Sequence, residues 1–362
     1  MNLELTEEQI ALRDTVRQFL AEKAGVAGYV RPLLDDSTGT TDGVWRGLAD
    51  IGATGVLVPH EHNGAGMTMV EAGVVAEELG AALYPGPWLS SAVAAARALV
   101  RTGADGGLLA GIADGTDIAT VGGLSGHRPT AKGATLSGEL AAVPDVAAAT
   151  VLLVIADGPD GVGLYSVDPL SDGVTATARS HVDPTHKLFD VALDGAAAKR
   201  LADAPNDVVD ALTDDVIIAR AADALGAANT VMNLAIEYAK VRRQFDQPIG
   251  SFQAVQHLCV DMYESVELAR SGIIHALWAA DAAKPADRHL AALRAKAFAG
   301  RLASVGDTAI QVFGGIGFTW EHDAHLYLKR LLGWSAYLGA PDRYLEEVGT
   351  ELVSELDRKV LQ

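Results

Sequence analysis

The stretch FQAVQHLCVDMYESVELARSGIIHALWAA carries apolar side chains at 252, 255, 258/259, 262, 266, 269, 273, 276/277 and 280. Steps of three and four kept up over about seven turns place them all on one side of a helix. A seam of that length needs an equally long partner surface, which narrows the fold to an antiparallel helical bundle. The preceding run, VIIARAADALGAANTVMNLAIEYAK, is apolar almost all round. It is expected to be buried on several sides, by another subunit as well as by its own chain.

Upstream the texture changes twice. Residues 1–115 read as helices. Thr6 and Gln9 form a candidate capping box for a first helix that passes Phe19 and Leu20. MTMVEAGVVAEELGAAL, 67–83, has helical spacing and ends near Gly80, while IGATGVLVPHEHNGAGM reads as loop because glycines and Pro59 interrupt it. From 116 to 204, short β-type runs are split by Gly, Pro and Asp. In LFDVALDG, Phe189, Val191 and Leu193 alternate with Asp190, Ala192 and Asp194, the period of a half-buried strand. The expected fold is α+β and mainly α. It comprises an N-terminal helical domain (1–115), a small antiparallel β domain (116–204) and a C-terminal four-helix-bundle domain (205–362). A chain of 362 residues can supply the cores this requires.

Charge and cysteine use exclude several classes of function. With 28 basic against 47 acidic side chains and a net charge of −19, the surface repels phosphate backbones, so no nucleic-acid partner is expected. The lone Cys259 sits in an apolar pattern and cannot close an internal disulfide. The N-terminus, MNLELTEEQIALRD, is acidic where a targeting segment needs basic residues, and no long apolar run indicates a membrane span. A cytoplasmic location follows as the expectation. His60 and His62 form H-x-H, and His322 and His325 stand three apart on an expected helix. Neither pair has a third ligand nearby, so no metal is expected. The tail EEVGTELVSELDRK reads as a solvated helix face with an apolar seam.

QVFGGIGFT, 311–319, sets three glycines between two helical stretches. Glycine ends a helix with a turn, or lets another molecule approach the backbone; the stretch alone leaves both readings open.

Taken with its surroundings, this stretch resembles the Q-x-x-G-G-x-G loop of the acyl-CoA dehydrogenase family. RRQFDQPIGSFQAVQH, 242–257, resembles that family's R-x-x-F-G-x-x-I…F-Q…Q-H segment, and GATGVLVPHEHNGAGM its G-x-x-G-x-x-x-P-E-x-x-G-G-x-G loop. The likeness covers nearly the whole chain. It implies FAD, held largely by a neighbouring subunit, with Arg242, Phe245, Gln253, Gln311, Gly314 and Gly315 at the matching cofactor-binding positions. A guanidinium and bare backbone amides suit a diphosphate. A solvated or salt-bridged Arg242 is the alternative.

The chain departs from the family pattern where the chemistry would be done. The resemblance implies a glutamate base in a Y-E-G-T loop, but the matching stretch is YLGAP, 337–341, with Leu338 in its place. The family's second base position, on an earlier helix, falls on Val216. The neighbouring Asp214 or Asp215 is a weak alternative base, and a first-turn residue favoured by the helix dipole is the competing reading. The motif T-E-P-x-x-G-S-D is missing from TVGGLSGHRPTAKGATLSGEL. The resemblance therefore implies a noncatalytic subunit of a heteromeric (α2β2) enzyme, like those acting on steroid side-chain CoA thioesters in actinobacteria. The acyl-CoA would sit in a catalytic sister subunit and the electrons would pass to an electron-transfer flavoprotein or similar acceptor. The alternatives are a self-sufficient homotetrameric flavoenzyme with an atypical base, and a structural subunit that has lost the cofactor.

Overall fold

The structure is a computed structural model that describes residues 4–104 and 106–360, with side chains as far as residue 354. Helix α1 (Glu7–Lys23) starts where the capping box predicts. The Thr6 hydroxyl accepts from the Gln9 amide while the Gln9 side chain accepts from the Thr6 amide. Helices α2 (Asp42–Asp50), α3 (Met69–Ala81), α4 (Ala96–Thr102) and α5 (Gly106–Ala113) follow, and Thr68 with Glu71 repeats the capping box at α3.

The sheet contains β1 (Ala119–Gly122), β2 (Thr130–Lys132), β3 (Thr135–Pro144), β4 (Val151–Gly158), β5 (Gly161–Val167), β6 (Val174–Ala178) and β7 (Leu188–Asp203). Phe189, Val191 and Leu193 of β7 are buried and the residues between them exposed, as their alternation predicts. The sheet is not wholly antiparallel, however. β1 runs parallel to β4 from Ala119↔Val151 to Gly122↔Val154, and β2 meets β4 in parallel at Thr130↔Asp157. The β2–β3 hairpin returns the chain to its original direction before β4, which allows this pairing.

The C-terminal helices are α6 (Asn206–Val241), α7 (Gln253–Ala282), α8 (Pro285–Ala299), α9 (Ala303–Phe313), α10 (Ala324–Ala336) and α11 (Pro341–Val360), with the hairpin β8 (Arg243–Gln244) and β9 (Gln247–Pro248) between α6 and α7. Helices α6 to α9 pack on one another, α10 adds to α6 and α9, and α11 lies on α8. Every residue of α6 from Asp214 to Ala228 is buried within this one chain, chiefly under α3, α7, α8, α9 and α10. Nearer its C-terminal end α6 leaves Leu234 and Val241 exposed. Gly80 and Gly226 allow the closest approach. A Cβ on Gly80 would lie 1.8 Å from the Asp223 carbonyl oxygen, and one on Gly226 1.8 Å from that of Glu77. The uncovered surface belongs to α7, where nothing from Gln253 to Asp261 is buried and Val260, Tyr263 and Leu268 face outward.

One fully buried side chain joins the parts. Arg330 donates from Nη1 to Asp223 Oδ1 and Oδ2 (3.0 and 2.9 Å), from Nε to Thr185 Oγ1 (2.9 Å) and from Nη2 to the Tyr84 carbonyl (3.0 Å). Lys187 Nζ donates to the carbonyls of Leu33 and Leu34, both at 2.8 Å, and so ties the sheet to the N-terminal helices.

Candidate functional site

Helix α9 stops at Phe313 because Gly314 takes φ +65°, a conformation that favours glycine. Beyond that cap the backbone of Gly314 and Gly315 is exposed, with no atom within 4 Å of where a Cβ would stand at either position. Gln311 is exposed one turn earlier. At the end of α6, Arg242 is exposed and its guanidinium makes no ion pair among the described residues. The tight β8–β9 turn holds Phe245 at φ +52° and 86% exposed, edge-on to Phe252 at 6.1 Å, next to the exposed Gln253. The rings of Tyr238 and Phe313 meet at 5.1 Å, so the ends of α6 and α9 that carry these groups share one end of the bundle. An unpaired guanidinium, two bare backbone units and an exposed aromatic ring suit a dinucleotide: the cation for its diphosphate, the ring for a planar or sugar part.

The position where the family pattern puts its base lies elsewhere. A cavity of about 410 Å³ opens between Val121–Ser125 and Ala141–Pro144 on the sheet side and Gly333 and Ala336 in the last turn of α10 with Tyr337 and Leu338 just after it. None of the described residues lining it is a carboxylic acid; its titratable side chains are Arg179, His181 and Tyr337. Leu338 stands in the wall at φ +55°, and its carbonyl accepts from Tyr344 Oη at 2.8 Å.

Asp214 and Asp215 are not first-turn residues, because α6 begins at Asn206 and both are buried along its length. Asp215 accepts from Arg97 Nε (2.8 Å) and from Arg101 Nε and Nη2 (2.6 and 2.9 Å). Its carboxylate serves as the counter-ion of α4 and leaves nothing free for a substrate proton. Asp214 accepts from His289 Nδ1 at 3.0 Å. Burial pushes the Asp214 carboxyl up, and the hydrogen bond to Asp214 raises the His289 imidazole. Val216 is buried between neighbours.

The histidine pairs separate. His60 and His62 lie on a single 3₁₀ turn, with His60 Nδ1 3.1 Å from the Gly64 carbonyl. His322 precedes α10 rather than sharing its face with His325. Its ring packs on Phe313 at 4.3 Å and its Nδ1 accepts from the Ala324 amide. Among the described residues no group of three metal-ligating side chains comes together.

Two buried cations stacked on aromatic rings escaped the sequence reading. Arg220 lies over the ring of Tyr337 at 4.1 Å, and Lys296 lies over Trp334 at 3.8 Å. The spacing of four between Val216 and Arg220 was the available signal for the first.

Helices, a mixed sheet and a helical bundle follow in that order, with Arg242, Phe245, Gly314 and Gly315 at one end of the bundle. Residues 6–106 match the acyl-CoA dehydrogenase N-terminal domain and residues 218–352 its C-terminal domain, and the chain belongs to the acyl-CoA dehydrogenase family. It is 32% identical over 349 residues to acyl-CoA dehydrogenase IpdE2 of Mycobacterium tuberculosis, covering 96% of this chain and 98% of that one. It is 35% identical to acyl-CoA dehydrogenase FadE34 of the same organism, over 95% of this chain but 48% of FadE34. Among solved structures, the Tcur3481-Tcur3483 steroid acyl-CoA dehydrogenase G363A variant superposes with a TM-score of 0.87 at 30% identity, covering 97% of this chain and 99% of that one. The ChsE4-ChsE5 complex from Mycobacterium tuberculosis superposes with a TM-score of 0.89 at 27% identity, covering 98% and 99%. No helix among the described residues is long and apolar enough to cross a membrane.

Proposed function

We propose that this chain is the noncatalytic subunit of a heteromeric FAD-dependent acyl-CoA dehydrogenase. The observation that carries the reading is the cavity wall, with Leu338 at the base position and no carboxylate among the described lining residues. Removing the α-proton of a thioester needs a positioned acceptor, and leucine has no lone pair to offer. The chain's contribution is instead the opposite end of the bundle. Arg242 neutralises a diphosphate, Gly314 and Gly315 offer backbone to it, and Phe245, Gln253 and Gln311 border the same surface. FAD held there would supply the acceptor for the hydride that leaves the acyl β-carbon, and a carboxylate of the sister subunit would take the α-proton.

The solved relatives support the sister chain: one is the ChsE4-ChsE5 complex and another the paired Tcur3481-Tcur3483 steroid enzyme. The proposal extends to an α2β2 assembly, a steroid side-chain CoA thioester as substrate and an electron-transfer flavoprotein or similar carrier as electron acceptor. Arg242→Ala tests the assignment in the co-purified assembly. Flavin affinity should fall by about tenfold or more with the ratio of the two chains unchanged. Full flavin retention by that variant would contradict it.

A further inference from the structure

A second cavity, of about 240 Å³, lies where α3, α6 and α7 meet under the start of α1. Steps of three and four along α3 (70, 73, 74) and α7 (273, 274, 277) turn an apolar strip of each helix toward it. The buried part of its wall is wholly apolar apart from Glu78: Gly73 and Val74, Ala222 and Leu225, Ile273 and Leu277. Leu5, Val70 and Ile274 stand half-buried around its mouth. Protein interiors leave few voids larger than a water molecule, so a space of this size in a helix junction calls for an occupant.

The chemistry of the wall decides which. Four charged side chains line it, and each already has a counter-ion. Arg13 donates from Nε and Nη2 to Asp14 (3.0 and 2.9 Å), and Glu77 accepts from Arg270 Nη1 at 2.7 Å. Glu78 accepts from Arg17 Nε and Nη2 at 2.9 and 2.7 Å. No charge in the wall is left to attract an ion, and an ion moved in from water would lose its hydration without a partner. Water is held no better. An enclosed water needs two to four polar partners, the six apolar residues of the buried wall have no polar side-chain atom, and Glu78 is engaged by Arg17. Among the described residues, none of the buried side-chain nitrogen or oxygen atoms that lack a partner belongs to this wall. Apolar cavities of about 150 Å³ stay dry and take benzene or xenon.

We propose that this cavity is a binding site for a small uncharged hydrocarbon of about six carbons. Its occupant would lie against Val74, Leu225 and Ile273 and bridge α3, α6 and α7, so that binding stabilises their junction. The site depends on neither the flavin assignment nor the missing base, and its test reads neither turnover nor flavin.

Crystals of the purified assembly are pressurised with xenon, and benzene, benzoate and benzylamine are titrated into the assembly while its melting temperature is followed. Xenon should appear between Val74, Leu225 and Ile273. Benzene should raise the melting temperature in a saturable way, with benzoate and benzylammonium at least about tenfold weaker because each would bury a charge. Ala222→Leu, which fills the floor, and Ile274→Trp, which narrows the mouth, should each weaken benzene binding by about tenfold or more. Ile274 is half-buried, so its variant keeps the test decisive if Ala222→Leu does not fold. Absence of xenon from this cavity, benzoate binding as tightly as benzene, or unaltered benzene binding in Ile274→Trp would each overturn the proposal.

Discussion

Lys296 is wholly buried, and its Nζ donates to the carbonyls of Trp334 (2.6 Å) and Ser335 (3.3 Å) at the end of α10. Burial, with the positive charge of Arg220 as a second cause, depresses its ammonium to about 7. Below that pH both folded and unfolded states hold the proton, and the folded state carries the full cost of the buried charge. Between about 7 and the ordinary lysine value of 10.5 only the unfolded state holds it, so this group makes stability rise with pH. Lys296→Met should therefore be more stable than the parent at pH 6, by about 2 kcal/mol, and lose that advantage by pH 10 as the forfeited carbonyl contacts begin to dominate. Urea midpoints at three pH values check the crossing, and a difference independent of pH would refute it. Nothing in AALRAKAFAG marks its lysine as buried. Leu338 stands out in the sequence for the opposite reason: Tyr337 and Gly339 on either side of it match the family pattern and it does not.

At the scale of elements, the crossing of α3 and α6 depends on two glycines that the sequence pattern did not single out. Gly80 looked like a helix end and Gly226 like one small residue among many, because the helix each one meets is remote in sequence. Period and composition likewise show that a helix such as α6 must be covered, and not by what. Gly80→Ala and Gly226→Ala should each destabilise by about 2–3 kcal/mol, because the new methyl meets backbone that cannot yield cheaply. Gly349→Ala on α11, where nothing lies within 4 Å of the added Cβ, should stabilise by roughly 0.5–1 kcal/mol. Chemical denaturation of the three variants reads the contrast. The box at Thr6 and the alternation in β7 were legible because both are local. The parallel β1–β4 pairing was not, since it joins residues on either side of a hairpin.

For the whole molecule, the proposed catalytic shortfall lies inside the chain and its remedy outside. The outward face of α7, with Val260, Tyr263 and Leu268, continues from the surface that carries Arg242 and Phe245. A sister chain seated there would cover apolar groups and complete the cofactor site together. Tyr263→Lys should then weaken co-purification with that chain by about tenfold or more while leaving the fold's melting temperature nearly unchanged, because Tyr263 is 57% exposed. Size-exclusion chromatography of the mixed subunits reads the first effect and calorimetry the second. The most direct measurement, however, is the visible spectrum of this chain purified alone, supplied with FAD and mixed anaerobically with acyl-CoA thioesters. With no acid to take the α-proton, the flavin band should not bleach, and bleaching should appear only after the sister chain is added. A yellow homomer whose band bleaches on its own would contradict the account.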